Sequence, residues 1–169
     1  MSSQLSTTAE LIARHSGGGL SAERLAIVSL GANLPSRFGS PRATLEQAAD
    51  KLTALSVWPV VLSPIVQTAP IDCPPESPEF FNAVAVLDPG KETSPLQFLR
   101  TLQAIETYFG RARTGQINEP RVLDLDLICY GQHRCKSSEL TLPHPRAAQR
   151  DFVLKPLAVI WPSFELPAS

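Results

Sequence analysis

Asp124 and Asp126 stand two apart in VLDLDLICYG, residues 122 to 131. That run reads as a strand, so the two carboxylates project from one face while Leu123, Leu125 and Leu127 occupy the other. At a rise near 3.3 Å per residue their roots lie roughly 7 Å apart, close enough to ligate one or two hard cations together. Two acids facing one way amid leucines call for a counterion, because like-charge repulsion otherwise raises one pKa and weakens the strand. An isolated Asp-x-Asp is more simply a solvated face paired with surface arginines, but this one has company. Upstream lies GRARTGQINEP with Arg111 and Arg113, then Arg121; downstream come LPHP, with His144, and Arg150. Arginine offers a planar fork suited to phosphate oxygens. Carboxylates beside arginines and a loop following Gly110 fit phosphoryl or pyrophosphoryl transfer, which depends mainly on positioning and charge neutralisation. The alternative is that the arginines only neutralise Glu106, Asp124 and Asp126.

A second group is less charged. Thr68, Pro70, Ile71, Phe80, Asn82 and Phe152 combine a hydroxyl, an amide and two rings, a mixture that suits a flat heterocycle with donors and acceptors on its rim. Taken singly, each has a plain explanation: Phe80 and Phe152 as core, Asn82 as a partner for backbone.

The elements that must position these residues follow from pattern. LAIVSLGAN, from Leu25, has the length and β-branched content of a buried strand, and Gly31 falls where a side chain would obstruct a ligand. PRATLEQAADKLTAL (41–55) sets Leu45, Ala48, Ala49, Leu52 and Leu55 at helical spacing behind Pro41. Residues 57 to 70 are rich in Val and Ile but broken by Pro59 and Pro64, which predicts an edge or bulged strand. IDCPPESPE is a loop shaped by proline, and FFNAVAVLDP a strand with Phe80 and Asn82 on one face. Ser94 caps a helix from Pro95 with a stripe of Leu96, Leu99, Leu102, Ile105 and Phe109, stopped by Gly110. A short helix is expected between residues 145 and 160. Strands and helices in this order, without regular βα alternation, predict an α+β sandwich: a mainly antiparallel sheet with helices packed on it.

Length and composition set the bounds. The 169 residues suit one domain, residues 25–169, behind a flexible Ser-, Thr- and Gly-rich tail over 1–24 in which Gly17, Gly18 and Gly19 interrupt any helix. A formal charge of -1 gives no field for nucleic acid or anionic membrane, and no long apolar run or secretory pattern is present, so a cytoplasmic location is expected. Cys73, Cys129 and Cys135 show neither a disulfide nor a zinc pattern. No heptad seam appears, which points to a monomer.

In order along the chain, SLGANL (29–34), TAPI with FFNAV (68–71, 80–84), QAIE (103–106), GRAR and PRVLDLDL (110–127) and LPHPRAAQRDFVLKPL (142–157) resemble the 6-hydroxymethyl-7,8-dihydropterin pyrophosphokinase family of folate biosynthesis. The resemblance implies a ferredoxin-like α+β fold, ATP as co-substrate with two magnesium ions, and transfer of the β,γ-diphosphate to the pterin hydroxymethyl with release of AMP. It also implies roles: Asp124 and Asp126 hold the metals, Arg111 and Arg121 contact the transferring phosphates, and Arg113 belongs to a loop that closes over ATP. Gln103, Glu106, His144 and Arg150 line the nucleotide channel. Thr68, Asn82 and the backbone at Ile71 hold the pterin, stacked between Phe80 and Phe152. Several positions depart from the commonest pattern: Ile117 and Asn118 stand where many members carry Arg-Trp, Glu139 replaces an arginine and Asp72 a glycine. Those changes keep open a catalytically silent member that binds pterin or nucleotide without transfer. A nucleic-acid module is disfavoured by the missing basic excess and the absence of exposed sheet aromatics.

Overall fold

The computed structural model describes residues 7–15, 22–70, 73, 75–112 and 120–167. Its centre is β1 (Ala26–Ala32), buried at every position, as a continuous apolar run covered on both faces requires. The other long strands flank it: β4 (Phe80–Leu87) on one side and β5 (Asp124–Tyr130) on the other, both antiparallel. The broken stretch 57–70 yields two short strands, β2 (Val61–Leu62) and β3 (Val66–Thr68), both on the outer edge of β4. Pro64 brings no donor to the interruption; Ser63 covers it, its Oγ accepting the Val84 N–H at 2.8 Å while its own N–H reaches the Val84 carbonyl at 2.8 Å.

The sheet runs β2–β4–β1–β5 with β3 also on β4, so the two long helices are crossovers that skip one strand each. Helix α2 (Pro41–Leu55) starts at Ser40, whose Oγ accepts the Ala43 N–H, and buries Leu45, Ala48 and Leu52. Helix α3 (Pro95–Tyr108) opens with a reciprocal capping box between Ser94 and Gln97 and ends at Gly110, which adopts φ 96°. Its buried stripe includes Phe98, which the sequence pattern left out, and Glu106, which the pattern treated as polar. Both helices cover the face carrying Val28, Leu30, Ala85, Leu123, Leu125 and Leu127. The expected C-terminal helix forms as α4 (Asp151–Ile160), with Pro156 inside it, and packs Val153, Leu157 and Ile160 on the opposite face against Ile27, Val84, Val86 and Ile128. The result is an α+β fold with a mainly antiparallel sheet.

Two features were not anticipated. A small hairpin pairs β6 (Cys135–Lys136) with β7 (Thr141–Leu142); two-residue strands leave too short a pattern to read. Within the stretch expected as a tail, α1 (Thr8–His15) forms. Thr7 and Glu10 cap it reciprocally, and Leu11 and Ile12 pack against the α4 side of the core. Among the described residues no helix is long and apolar enough to cross a membrane.

Candidate active site

Strand register brings the two groups of residues together. Across the sheet Asn82 pairs with Gly31, and Gly31 with Asp124; two residues on, Val84 pairs with Ser29 and Ser29 with Asp126. With a side-chain period of two, Ser29, Gly31, Asn82, Asp124 and Asp126 share the face that α4 covers farther along. Helix α4 shields the apolar end of that face and begins beside the polar end, which stays open. A bulge between Ile27 and Val28 puts consecutive residues Ile128 and Cys129 of β5 on the α4 side, without disturbing the alignment at the aspartates.

The open end is a cavity of about 470 Å³. Thr68, Phe80, Asn82 and Phe152 line it together with Arg121, Asp124, Asp126 and Arg150, so members of both constellations face one space, while Arg111 reaches Asp124 without being on the wall. Asn82 is buried and donates through Nδ2 to Thr68 Oγ1 at 2.7 Å, which fixes the amide's orientation. Phe80 and Phe152 are half-buried, with ring surface left to stack on a ligand. Gly31 leaves room beside the amide: a Cβ there would stand 3.2 Å from Asn82 Oδ1, a tight contact that would press on it.

The acids are held by arginines in this structure. Asp124 accepts from Arg111 at 2.7 Å and Arg121 at 3.0 Å, and Asp126 from Arg150 at 3.3 Å. Arg150 also lies over the Phe152 ring, 5.4 Å from its centroid, joining the charged and aromatic halves. Neutralisation of the acids by arginine is therefore realised at these three positions. Burial, and then the neighbouring Asp124, still push the Asp126 carboxyl up to about 6. A desolvated carboxylate pair of this kind gains from a stronger counterion.

Glu106 was expected on the nucleotide channel. It is 3% exposed, and its carboxylate accepts the Leu125 N–H at 2.9 Å and pairs with Arg111. It thus binds the outer edge of β5 between the two aspartates and holds the arginine that reaches Asp124. Burial raises its pKa to about 7 against the pull of the Leu125 N–H and Arg111. Gln103 is exposed on α3 and His144 partly buried, and neither is on the cavity wall. Burial, with Arg150 and Arg146, lowers His144 to about 4, so the ring is neutral at pH 7; its Nδ1 accepts the Arg146 N–H at 3.2 Å. Ile71, Arg113, Asp72, Ile117 and Asn118 lie outside the described residues. Glu139 pairs with Arg100 on an exposed surface, away from the cavity.

Sequence reasoning missed Asn33. It is 2% exposed; its Oδ1 accepts the Arg121 N–H at 2.8 Å, its own N–H meets the Arg121 carbonyl at 3.1 Å, and its Nδ2 donates to the Pro78 carbonyl at 3.3 Å. One buried amide ties the end of β1 to the arginine and to the loop before β4. Its position two residues beyond Gly31 was the available signal. Ser29, Cys73, Arg146, Gln149 and Asp151 also line the cavity without having been singled out.

Among the described residues no group of three or more His, Cys, Asp or Glu forms a metal cage. Two carboxylates on an open wall fit a different mode, in which a hard cation binds through one or two acids and completes its shell with substrate phosphates and water.

A family model for 7,8-dihydro-6-hydroxymethylpterin-pyrophosphokinase matches residues 27–162. The chain belongs to that family. The matched stretch of the pyrophosphokinase family includes every cavity residue described above. Among relatives, a 2-amino-4-hydroxy-6-hydroxymethyldihydropteridine pyrophosphokinase of Pseudomonas aeruginosa is 38% identical over 141 residues, covering 83% of this chain and 82% of that protein. One from Haemophilus influenzae is 36% identical over 145 residues, 85% and 86% of the two chains. One from Synechocystis is 44% identical over 95 residues, 56% of this chain and 47% of that protein.

Proposed function

We propose that this protein transfers the β,γ-diphosphate of ATP to the hydroxyl of 6-hydroxymethyl-7,8-dihydropterin, giving AMP and the pterin diphosphate in folate biosynthesis. The single observation that carries the reading is the shared cavity. An aromatic pair with a fixed amide opens beside a paired acid site bearing arginines, as bringing a flat alcohol to a polyphosphate demands. The hydroxymethyl oxygen forms a bond to the β-phosphorus, the bridge from the α-phosphate breaks, AMP leaves with the electron pair, and the hydroxyl proton is lost. Asn82 and Thr68 read the rim of the heterocycle, with the Ile71 backbone as a further contact, and Phe80 with Phe152 selects planarity. Arg111, Arg121 and Arg150 exchange carboxylate partners for phosphate oxygens, while Glu106 and Asn33 keep Arg111 and Arg121 directed at them.

Asp124 and Asp126 fit two magnesium ions, which when bound supply charge neutralisation on the phosphate oxygens. Gln103, His144 and Arg113 complete the nucleotide side by resemblance. The wiring of the sheet, two split crossovers in one antiparallel sheet, supports the ferredoxin-like arrangement. Residues 25–169 form the catalytic domain, read as a cytoplasmic monomer. The paired acids Asp124 and Asp126, with Arg111, Arg121 and Arg150 on them, favour transfer over silent binding. Phosphorus NMR of protein, ATP, magnesium and hydroxymethyldihydropterin tests the reading: AMP and a pterin diphosphate are expected, and ADP with a pterin monophosphate, or no reaction, would overturn it.

A further inference from the structure

Three arginines reach the cavity wall, and two are already engaged, Arg121 with Asp124 at 3.0 Å and Arg150 with Asp126 at 3.3 Å. The third, Arg146, lies within the stretch LPHPRAAQRDFVLKPL (142–157) but was given no role from the sequence. Among the described residues no carboxylate pairs with its guanidinium and no hydrogen bond engages it. Asp151, the wall carboxylate closest to it in the chain, faces Lys155 at 3.7 Å instead. The root of Arg146 is nevertheless fixed: its N–H donates to His144 Nδ1 at 3.2 Å, and its carbonyl accepts the Gln149 N–H at 3.2 Å in the turn Ala147–Gln149 that leads into α4. A held backbone with a free forked cation is a receptor for an anion. Arg121 and Arg150 meet a phosphate only by sharing or leaving a carboxylate, whereas Arg146 gives up nothing but water. The surroundings agree: burial is the main cause that lowers the neighbouring His144, and Arg150 and then Arg146 add to it, so Arg146 contributes positive potential there.

We infer that Arg146 is a substrate-binding residue for the diphosphate that the reaction moves, contacting it on ATP before transfer, on the pterin after it, or both. The inference rests on the pyrophosphokinase reading and adds a residue to it. A charge-assisted contact at an exposed arginine such as Arg146 corresponds to about a tenfold change in affinity at most.

Calorimetric titration of wild type, Arg146→Ala and Arg146→Lys with ATP plus magnesium, with the pterin diphosphate, and with the uncharged pterin alcohol tests it. Arg146→Ala should bind the diphosphate ligands about tenfold more weakly and the alcohol as wild type does, with Arg146→Lys recovering part of the loss. A loss confined to ATP or to the pterin diphosphate supports the assignment and tells on which side of transfer the contact is made. Unchanged affinity for both diphosphates, or an equal loss for the alcohol, overturns it. Failure of the wild-type protein to bind either pterin ligand is a separate result, and refutes the functional reading itself.

Discussion

Neutralising Asp126 should stabilise the protein while removing its activity. Its carboxyl is raised from 3.8 to about 6, first by burial and then by Asp124. Below both values the group is protonated whether the chain is folded or not, so it adds no pH dependence there. Between 3.8 and 6 the unfolded chain gives up its proton first, and stability falls as pH rises; above 6 the penalty is complete. The shift corresponds to a ceiling of about 3 kcal/mol. Asp126→Asn also deprives Arg150 of its charged partner at 3.3 Å, and the aspartate side chain is 29% exposed, so a net gain of about 1–2 kcal/mol remains. Thermal unfolding should show Asp126→Asn melting about 2–6 °C above wild type near pH 7.5, with the gap closing near pH 4. AMP formation should fall about a thousandfold, since the variant forfeits several kcal/mol of phosphate-charge stabilisation. A variant less stable than wild type at both pH values would show that the buried charge of Asp126 carries no cost, and one that still transfers diphosphate at the wild-type rate would exclude Asp126 from the chemistry.

Two further substitutions probe separate parts of the site. In Gly31→Ala the added methyl meets Asn82 Oδ1 at 3.2 Å, and the amide must give way by a few tenths of an ångström. Stability should stay within about 1 kcal/mol of wild type while pterin affinity drops about tenfold, read by fluorescence titration; unaltered pterin affinity would remove Asn82 from the pocket's recognition edge. His144 is held near 4 against an ordinary 6.5, so the unfolded chain takes up its proton first on acidification and the ring costs stability as pH falls through that window. Urea unfolding from pH 7 to pH 4 should therefore show wild type losing more stability than His144→Asn, and parallel curves would count against the depressed value.

What the sequence made legible was local. The alternation of Asp-Leu-Asp-Leu, the helix start at Pro41, the capping Ser94 and the stop at Gly110 are short-range signals, and each appears in the structure as its pattern implies. The division of β2 from β3 follows from Pro64, but its repair by Ser63 depends on Val84, more than twenty residues away. The union of the two constellations is non-local as well. It requires the register that sets Asn82, Gly31 and Asp124 in one row across three strands, and no window of sequence contains all three. Glu106 had a readable clue, lying four residues after Leu102 and three before Phe109 on the buried side of α3. A charge at that phase implies a buried partner, here the Leu125 N–H and Arg111. Arg146 stood in a matched stretch, but its lack of a carboxylate partner is a property of the folded surroundings.

Diphosphate transfer at this site requires β5 to hold divalent cations, which a count of bound ions checks. Electron paramagnetic resonance of manganese titrated into the protein with a nonhydrolysable ATP analogue and hydroxymethyldihydropterin should register two tightly held ions in wild type, the number a paired-metal phosphate site takes. Asp124→Asn should hold fewer. The same count and affinity in both proteins would mean that the aspartates of β5 are not metal ligands, and the proposed chemistry would lose its foundation.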